Sequence, residues 1–272
     1  MPAVGEMGWG VMGNGIRSRA LFVHHSNSDP TVMRKRILMI GNTDDLPGVP
    51  IDISDYYKFF TSPTGGSWHD EEIDILINPI QHELLETIAE IEEADYDYLV
   101  TMFSGHGEET TDGTVLSING DEETILLHNL TGLAERQLLI IDCCRSHRRI
   151  PEDIRIDSAT LSLSHDSIRQ AYEELIQFAA SQEVILFSCN DTEVAVDTRE
   201  GWIRSYSQCL LDAIEIALTN PRLLFVSVGR AHAKAVSLIR QEHLPFVQNP
   251  TMRQSPCSVH RRLPLAVNPN FF

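Results

Sequence analysis

The sequence predicts one α/β domain built on a mainly parallel β-sheet with helices on both faces. Three observations support this fold class. Short apolar runs of strand length alternate with segments whose apolar residues recur at helical spacing. Strands and helices that alternate in this way form parallel sheets that are covered on both sides. Hydrophobic residues make up 42% and charged residues 22% of the chain, which suffices for a core without metals or disulfides.

The first half of the chain is predicted to supply four strands and two long helices. Each apolar strand run ends near residues that favour loops, such as Gly, Asn and Asp. The elements expected here are strands at residues 37–40, 73–77, 98–103 and 138–141, helices at 51–60 and 80–91, a small hairpin arm at 114–118 and a polar helix near 129–136.

The second half begins with residues 145–165, which are polar, contain Pro and Arg, and are typical of an exposed loop. The elements expected after it are helices at 167–180, 205–218 and 231–240, a strand at 184–188, a helix or strand at 223–228, and a final edge strand at 263–267 that makes the sheet six-stranded. Residues 1–32 lack periodicity and are rich in Gly, so we expect a flexible extension before a single domain at 33–272.

The charge of the chain excludes several classes of partner. Lys and Arg number 21 against 39 Asp and Glu, which gives a net charge of −18. Such a surface repels phosphate backbones, so no nucleic-acid partner is expected, whereas basic peptides are attracted. No apolar run reaches transmembrane length, and the first residues make a poor signal peptide. We therefore expect a cytoplasmic protein without a membrane partner.

The cysteines predict free thiols in a reducing compartment. The chain has five, of which two are adjacent and the others scattered, unlike a disulfide scaffold. Neither a C-x-x-C pair nor an H-E-x-x-H motif occurs, so neither a structural nor a catalytic zinc site is expected, and the site residues include no metal ligands.

Two predicted strands each end in a reactive residue. The strand at 98–103 leads to His106, which lies between two glycines, and the strand at 138–141 leads to Cys144. Ligands bind beyond the carboxyl ends of parallel strands, so neighbouring strands would bring the imidazole and the thiol into one crevice. A Cys–His pair suits nucleophilic attack on a carbonyl, with His moving the proton. The backbone N–H groups of Gly107 and Cys144 would face the developing oxyanion.

These segments resemble blocks of metacaspases and related caspase-fold peptidases. Residues 103–107 (FSGHG) are similar to their S-G-H-G block, and residues 142–146 (DCCRS) to their D-x-C-H-S block. The nucleophile of that block follows the Asp by two residues, so the resemblance assigns this role to Cys144 and leaves Cys143 as a buried neighbour. Residues 46–52 (LPGVPID) are similar to a third block, L-x-G-C-x-N-D. The resemblance spans about residues 36–220 and implies the caspase–hemoglobinase three-layer sandwich.

The resemblance also implies a pocket for the substrate residue before the scissile bond, lined by Asp52, Ser104 and Asp142. Two carboxylates in a partly desolvated pocket favour a cation, and Arg matches them best through bidentate pairing. We therefore predict cleavage after Arg, then Lys, and not after Asp. Other readings stay open: Asp52 could cap a helix, Asp142 could be a solvated strand-end acid, and Ser104 could serve a turn.

Activation and cofactors are less constrained by the sequence. Arg148, Arg149 and Arg155 lie in the predicted loop and are either solubilising charges or processing sites, since the same loop is cut in caspases. A cut there would divide a large-subunit-like part, up to about residue 148, from a small-subunit-like part at about 166–272. The acidic run at 121–123 is either a charged turn or a calcium site, which some metacaspases need; the chemistry itself needs no cofactor.

The sequence thus predicts a cysteine endopeptidase that acts on proteins or peptides through a Cys144–His106 dyad and a thioester intermediate. An activating protein or protease is a further expected partner. Some bacterial relatives of this fold act in anti-phage defence or programmed cell death, which the resemblance alone extends to this chain. The alternative is a catalytically silent caspase-fold interaction module, or a proenzyme that an upstream protease cuts.

Overall fold

The computed structural model describes residues 33–143, 165–191, 193, 195, 205–242 and 248–272. Within these residues the strands are, in chain order, β1 (Lys35–Gly41), β2 (Ile73–Ile77), β3 (Tyr98–Thr110), β4 (Gly113–Ser117), β5 (Thr124–Leu126), β6 (Arg136–Cys143), β7 (Gln182–Phe187), β8 (Phe225–Ser227), β9 (Thr251–Gln254) and β10 (Pro264–Val267). The helices are α1 (Gly48–Thr61), α2 (Gln81–Ala94), α3 (His165–Phe178), α4 (Tyr206–Leu218) and α5 (Val228–Glu242).

Six strands form the main sheet in the order β2-β1-β3-β6-β7-β9. The first five are parallel and β9 runs antiparallel to β7. Beyond its pairing with β6, β3 continues and pairs antiparallel with β4, which in turn pairs with β5. These three segments make the small hairpin arm that the sequence predicts. The mainly parallel six-stranded sheet of the prediction is confirmed.

Helices cover both faces of the sheet, as predicted. Alternate β1 residues belong to two separate cores: Ile37 and Met39 pack with α1, α3, α4 and α5, whereas Leu38 and Ile40 pack with α2 and the arm. A strand buried on both faces needs apolar side chains at every position, which explains why its sequence is a continuous apolar run.

The sixth strand of the main sheet is Thr251–Gln254, so the prediction of residues 263–267 for this position is wrong. The apolar tail strand β10 is fully buried and pairs instead with β8 in a separate two-stranded sheet. The real edge strand has the sequence TMRQ and is only partly buried. Because its side chains are only partly covered on the two faces of the sheet, this edge strand lacks the apolar pattern that identifies a strand from sequence.

The polar helix predicted near residues 129–136 is also absent. The described chain there makes a short 3-10 turn at Leu127–Leu130 and then an irregular loop. Gly132 adopts a positive φ of 70°, and its N–H donates to the Glu183 carboxylate at 2.9 Å. The N–H of Leu133 donates to the Gln137 side chain at 3.0 Å. Side chains thus take the hydrogen bonds that a helix would have used.

Several predicted features lie outside the described residues. They are the extension at 1–32, the loop at 145–165 up to the start of α3, and the three candidate processing arginines, Arg148, Arg149 and Arg155. In the part of the chain that is described, no helix has the length and apolarity needed to cross a membrane.

A partly buried ion network ties the start of β1 to α3. The Lys35 ammonium, whose side chain is fully buried, lies 3.4 Å from carboxylate oxygens of both Glu72 and Glu173. It also lies 3.9 Å from the centroid of the Trp68 ring. Arg169 of α3 donates to both Glu72 oxygens at 2.6 Å. Burial lowers the Lys35 pKa, and the charge of Glu72 acts in the opposite direction.

Removing Glu72 should therefore destabilise the fold. Glu72→Ala leaves Glu173 as the one carboxylate of this network that contacts both Lys35 and Arg169, and breaking a buried pair typically costs about 3 kcal/mol. Glu71→Ala is the matched control, because that side chain is 71% exposed and such substitutions usually change stability by less than about 0.5 kcal/mol. Denaturant unfolding measures both. Equal losses in the two variants would show that the Glu72 carboxylate contributes nothing to stability.

Candidate functional site

The pairing of β3 with β6 brings the two sequence motifs to one end of the sheet. Ser104 pairs with Asp142, and Gly105 pairs with Cys143. Partners in register on parallel strands direct their side chains to the same face. His106 therefore follows directly on a residue that pairs with Cys143. β6 ends at Cys143, and the predicted nucleophile Cys144 lies outside the described residues.

The imidazole of His106 is half-buried and held by the backbone of the loop between β1 and α1. Its Nε2 lies 2.7 Å from the carbonyl oxygen of Asp44. Because a carbonyl oxygen can only accept, Nε2 must carry the proton in this contact. In the neutral ring Nδ1 is then the acceptor, which is the state that a general base requires.

The glycines on either side of His106 are explained by close packing. A Cβ on Gly105 would lie 2.9 Å from the Cβ of Asn42. A Cβ on Gly107 would lie 2.7 Å from the Cys143 sulfur. Cys143 is buried, in line with its predicted role as a neighbour of the nucleophile, and its sulfur occupies the space that Gly107 leaves.

The three residues predicted to line the substrate pocket lie together. The Ser104 hydroxyl donates to Asp52 Oδ2 at 2.9 Å, and Ser104 stands beside Asp142 in the strand register. All three residues are buried. Asp52 lies within α1 rather than at its start, so it does not cap that helix. Asp142 is buried, so it is not a solvated acid at the end of its strand.

The start of α4 supplies two residues that donate to these carboxylates and that the sequence analysis missed. Ser205, the N-cap of α4, donates from its hydroxyl to Asp52 Oδ1 at 3.2 Å. The N–H and hydroxyl of Ser207 donate to Asp142 Oδ2 at 3.0 and 2.6 Å. The S-x-x-Q pattern that ends at Gln208 signals a capping box and so the start of a helix. Nothing local in the sequence shows that this helix end faces two carboxylates.

Burial and hydrogen bonding shift the pKa of the Asp142 carboxyl group in opposite directions. Burial raises the pKa of its carboxyl group, and the two donors of Ser207 act in the opposite direction. The N-terminus of α4 adds a partial positive charge on the same side. Among the described residues, no cation contributes to this balance. A cation placed beside Asp142 would therefore stabilise the ionised carboxylate.

The end of β6 is fixed from the other side by β7 and the segment before β9. Ser188 accepts from the Cys143 N–H and donates to the Cys143 carbonyl, both at 3.1 Å. The Gln248 side chain donates to the Ser188 carbonyl at 2.7 Å. The backbone of the residue that precedes Cys144 is thereby held by a buried hydroxyl.

Metal ligands do not gather in this part of the molecule. Across the described ranges, no group of three or more His, Cys, Asp or Glu side chains has the arrangement of an ion site. The acidic run at 121–123 is the turn between β4 and β5. In it, Glu123 accepts from the Gln81 N–H at 3.0 Å and the Asn119 amide at 2.7 Å, which ties the turn to the start of α2.

A buried histidine anchors the first turn of α4. The Tyr206 hydroxyl lies 2.8 Å from His232 Nδ1, and both side chains are buried. Burial lowers the pKa of His232 to about 4. Because Tyr206 lies between Ser205 and Ser207, His232 stabilises the helix end that faces the two carboxylates.

We expect His232 to make the fold sensitive to acid. The unfolded chain gains a proton near pH 6.5 that the folded state accepts only near pH 4. Stability is fully present above pH 6.5 and falls by roughly 3 kcal/mol as the pH drops through this window. His232→Gln keeps an acceptor but does not titrate, so its unfolding free energy should fall less between these pH values.

The control is His82→Gln, since the His82 side chain is 79% exposed. Denaturant unfolding at pH 7 and pH 4.5 gives the comparison. A wild-type decrease that His232→Gln does not reduce would contradict the assignment.

Comparison with known proteins agrees with the fold. A family model described as Caspase domain matches residues 34–263. Among solved structures, the protein GSU0716 from Geobacter sulfurreducens is similar, with 13% identity and a TM-score of 0.53 over 84% of this chain and 97% of that chain. No curated protein sequence matches significantly.

Two caspase structures are also similar to this chain. Caspase-1 from Spodoptera frugiperda shares 14% identity, with a TM-score of 0.49 over 85% of this chain and 94% of that chain. The Drosophila initiator caspase Dronc shares 11% identity, with a TM-score of 0.48 over 97% of each chain. Because the family model spans most of the sequence, this chain belongs to the caspase-domain family of cysteine peptidases, which act on protein substrates.

Proposed function

We propose that this chain is a cysteine endopeptidase that cleaves proteins after Arg or Lys, with Cys144 as nucleophile and His106 as acid and base. The observation that carries the proposal is the state of His106. Its Nε2–H is engaged by the Asp44 carbonyl at 2.7 Å, which leaves Nδ1 as the acceptor. Cys144 follows Cys143 in the chain, and Cys143 pairs with Gly105, the residue before His106.

In the first step the Cys144 thiol gives its proton to Nδ1 of His106, and the thiolate attacks the scissile carbonyl carbon. The carbonyl oxygen becomes an oxyanion, which the N–H groups of Gly107 and Cys144 would stabilise. Such donors are typically worth about 3 kcal/mol each in comparable enzymes. The Asp44 carbonyl stabilises the imidazolium that forms, since its oxygen faces the ring N–H.

In the second step the imidazolium donates its proton to the leaving amine, the C–N bond breaks, and a thioester with Cys144 remains. Water then attacks the thioester carbonyl and gives a proton to His106. The C–S bond breaks, the carboxylic acid product leaves, and the proton returns to the thiol. No cofactor takes part in this sequence.

Specificity for Arg or Lys is supported by the charge of the pocket. Asp52 and Asp142 are buried and accept hydrogen bonds from the hydroxyl groups of Ser104, Ser205 and Ser207. These donors are uncharged, so the negative charge of the two carboxylates is not neutralised by them. A guanidinium can pair with two carboxylates bidentately, whereas an aspartate side chain would be repelled by both.

Activation belongs to the same proposal. Cleavage at Arg148, Arg149 or Arg155, by this enzyme or by an upstream protease, would separate the two halves of the domain. A role in defence or cell death stays a prediction that rests on resemblance alone.

Peptide hydrolysis tests the proposal directly. Fluorogenic peptides that end in Arg, Lys or Asp are offered to the wild type, Cys144→Ala and Cys143→Ala. We expect cleavage after Arg, slower cleavage after Lys and none after Asp. Cys144→Ala should abolish it, while Cys143→Ala should keep most of it, because Cys143 is a buried packing residue.

Loss of activity in Cys143→Ala but not in Cys144→Ala would reverse the assignment of the nucleophile. Hydrolysis after Asp would retain the peptidase and contradict the pocket. If no peptide is cut, even after proteolysis within residues 145–165, the chain is better described as an interaction module.

The pocket carboxylates can be tested separately from the nucleophile. Asp52→Asn removes one charge from the pocket, and charge-assisted hydrogen bonds contribute about 1.5–3 kcal/mol. We expect kcat/KM for an Arg peptide to fall about 10- to 100-fold. Asp55→Asn makes the same change one turn later on α1, where Asp55 faces Lys58 at 3.7 Å, and should leave kcat/KM near the wild-type value. An unchanged kcat/KM in Asp52→Asn would remove Asp52 from the pocket.

A further inference from the structure

A buried amide lies between the two loops that surround His106. Asn42 follows directly on β1 and is 1% exposed. Its backbone N–H donates to the Ser104 carbonyl at 2.9 Å, which fixes it to β3 two residues before the histidine. Its Cβ also lies against Gly105, the residue before His106. Asn42 is therefore packed against the strand end that carries the imidazole, without touching the ring.

The side chain of Asn42 closes a ring of contacts that begins and ends at His106. The His106 Nε2 contacts the Asp44 carbonyl at 2.7 Å. The N–H of the same Asp44 donates to Asn42 Oδ1 at 3.0 Å. Asn42 Nδ2 in turn donates to the Ser117 carbonyl at 2.9 Å. Ser117 is the partner of His106 in the register of β3 and β4.

An amide at this position uses both of its functional ends. The carbonyl end makes the turn that an Asn side chain forms with the N–H two residues further on. The NH2 end donates to Ser117 and lies 3.4 Å from the Asn119 carbonyl. A carboxylate would lose the donors, and an apolar side chain would lose both ends and leave buried polar groups unpaired.

We propose that Asn42 is a positioning residue that fixes the Asp44 carbonyl, and through it the orientation and tautomer of the His106 imidazole. The kinetic part of this inference rests on the proposed function of His106; the structural part does not. Without the Asn42 amide, the Asp44 N–H loses its hydrogen bond to Oδ1, and the Asp44 carbonyl is held less firmly in place. The ring can then turn, and Nδ1 loses the fixed orientation that the proposed proton transfer requires.

The test compares Asn42→Ala with Gln137→Ala. Gln137 is a fully buried amide that also ties a loop, through the Leu130 carbonyl and the Leu133 N–H, but it lies near the opposite end of β6. Both variants should lose stability. Misplacement of a catalytic group by about 1 Å can lower a rate by about 100-fold. We expect that fall in kcat for Asn42→Ala with little change in KM, and near wild-type kcat for Gln137→Ala.

A second measurement does not depend on activity. In protein labelled with 15N-histidine, the His106 Nε2 proton should give an exchange-protected signal, assigned by its loss in His106→Gln. We expect this signal in the wild type and Gln137→Ala and its loss in Asn42→Ala. Where Asn42→Ala does not fold, Asn42→Asp replaces it. Its second carboxylate oxygen would meet the Ser117 and Asn119 carbonyls with no proton to donate, so the side chain is repelled from the position that accepts the Asp44 N–H and the signal should be lost there too.

The outcomes separate this inference from the proposed function. A protected signal and a kcat in the Asn42 variant no lower than in Gln137→Ala would overturn the positioning role. If the wild type cuts no peptide, the proposed function fails, and the proton signal alone decides: its loss in the Asn42 variant sustains the inference, and its persistence overturns it.

Discussion

The register between β3 and β6 is the constraint on which the rest of the site depends. It pairs Ser104 with Asp142 and Gly105 with Cys143. A shift of one residue would turn every side chain of a strand to the other face, so the pocket residues and the core would be lost together. The register is held where burial is complete, because both strands carry apolar residues into both cores. The hydrophobic core thus specifies the relative position of the reactive groups.

The buried carboxylates of Asp52 and Asp142 are tolerated because the fold supplies hydrogen-bond donors from β3 and from the start of α4. Two buried acids would normally disfavour folding unless hydrogen bonds satisfy them. The first turn of α4 satisfies both, since Ser205 contacts Asp52 and Ser207 contacts Asp142. The start of α4 is thereby joined to α1 through Ser205 and to β6 through Ser207, in addition to the core that α1 and α4 share. Movement of α4 would consequently alter both carboxylates at once.

Local sequence patterns were sufficient to predict the main sheet and part of the candidate site. The apolar strand runs and the alternation with helices predicted the sheet, and the motifs predicted that Asp52, Ser104 and Asp142 lie together. The edge strand β9 was missed because its side chains are only partly buried and leave no apolar pattern. The contact of His106 with Asp44 was missed because it involves a backbone carbonyl, which every residue carries. The serines of α4 were missed because their contacts join residues more than 60 positions apart.

The pairing of β6 with β7 has a consequence for a chain that is cut between them. These parallel strands are hydrogen-bonded along residues 136–141 and 182–187, although the candidate processing arginines lie between them in sequence. Each fragment of such a cut would contribute strands to one continuous sheet, and neither would retain a complete core. The cut protein would then behave as an obligate two-chain assembly, whose unfolding temperature rises with protein concentration, unlike that of the intact chain.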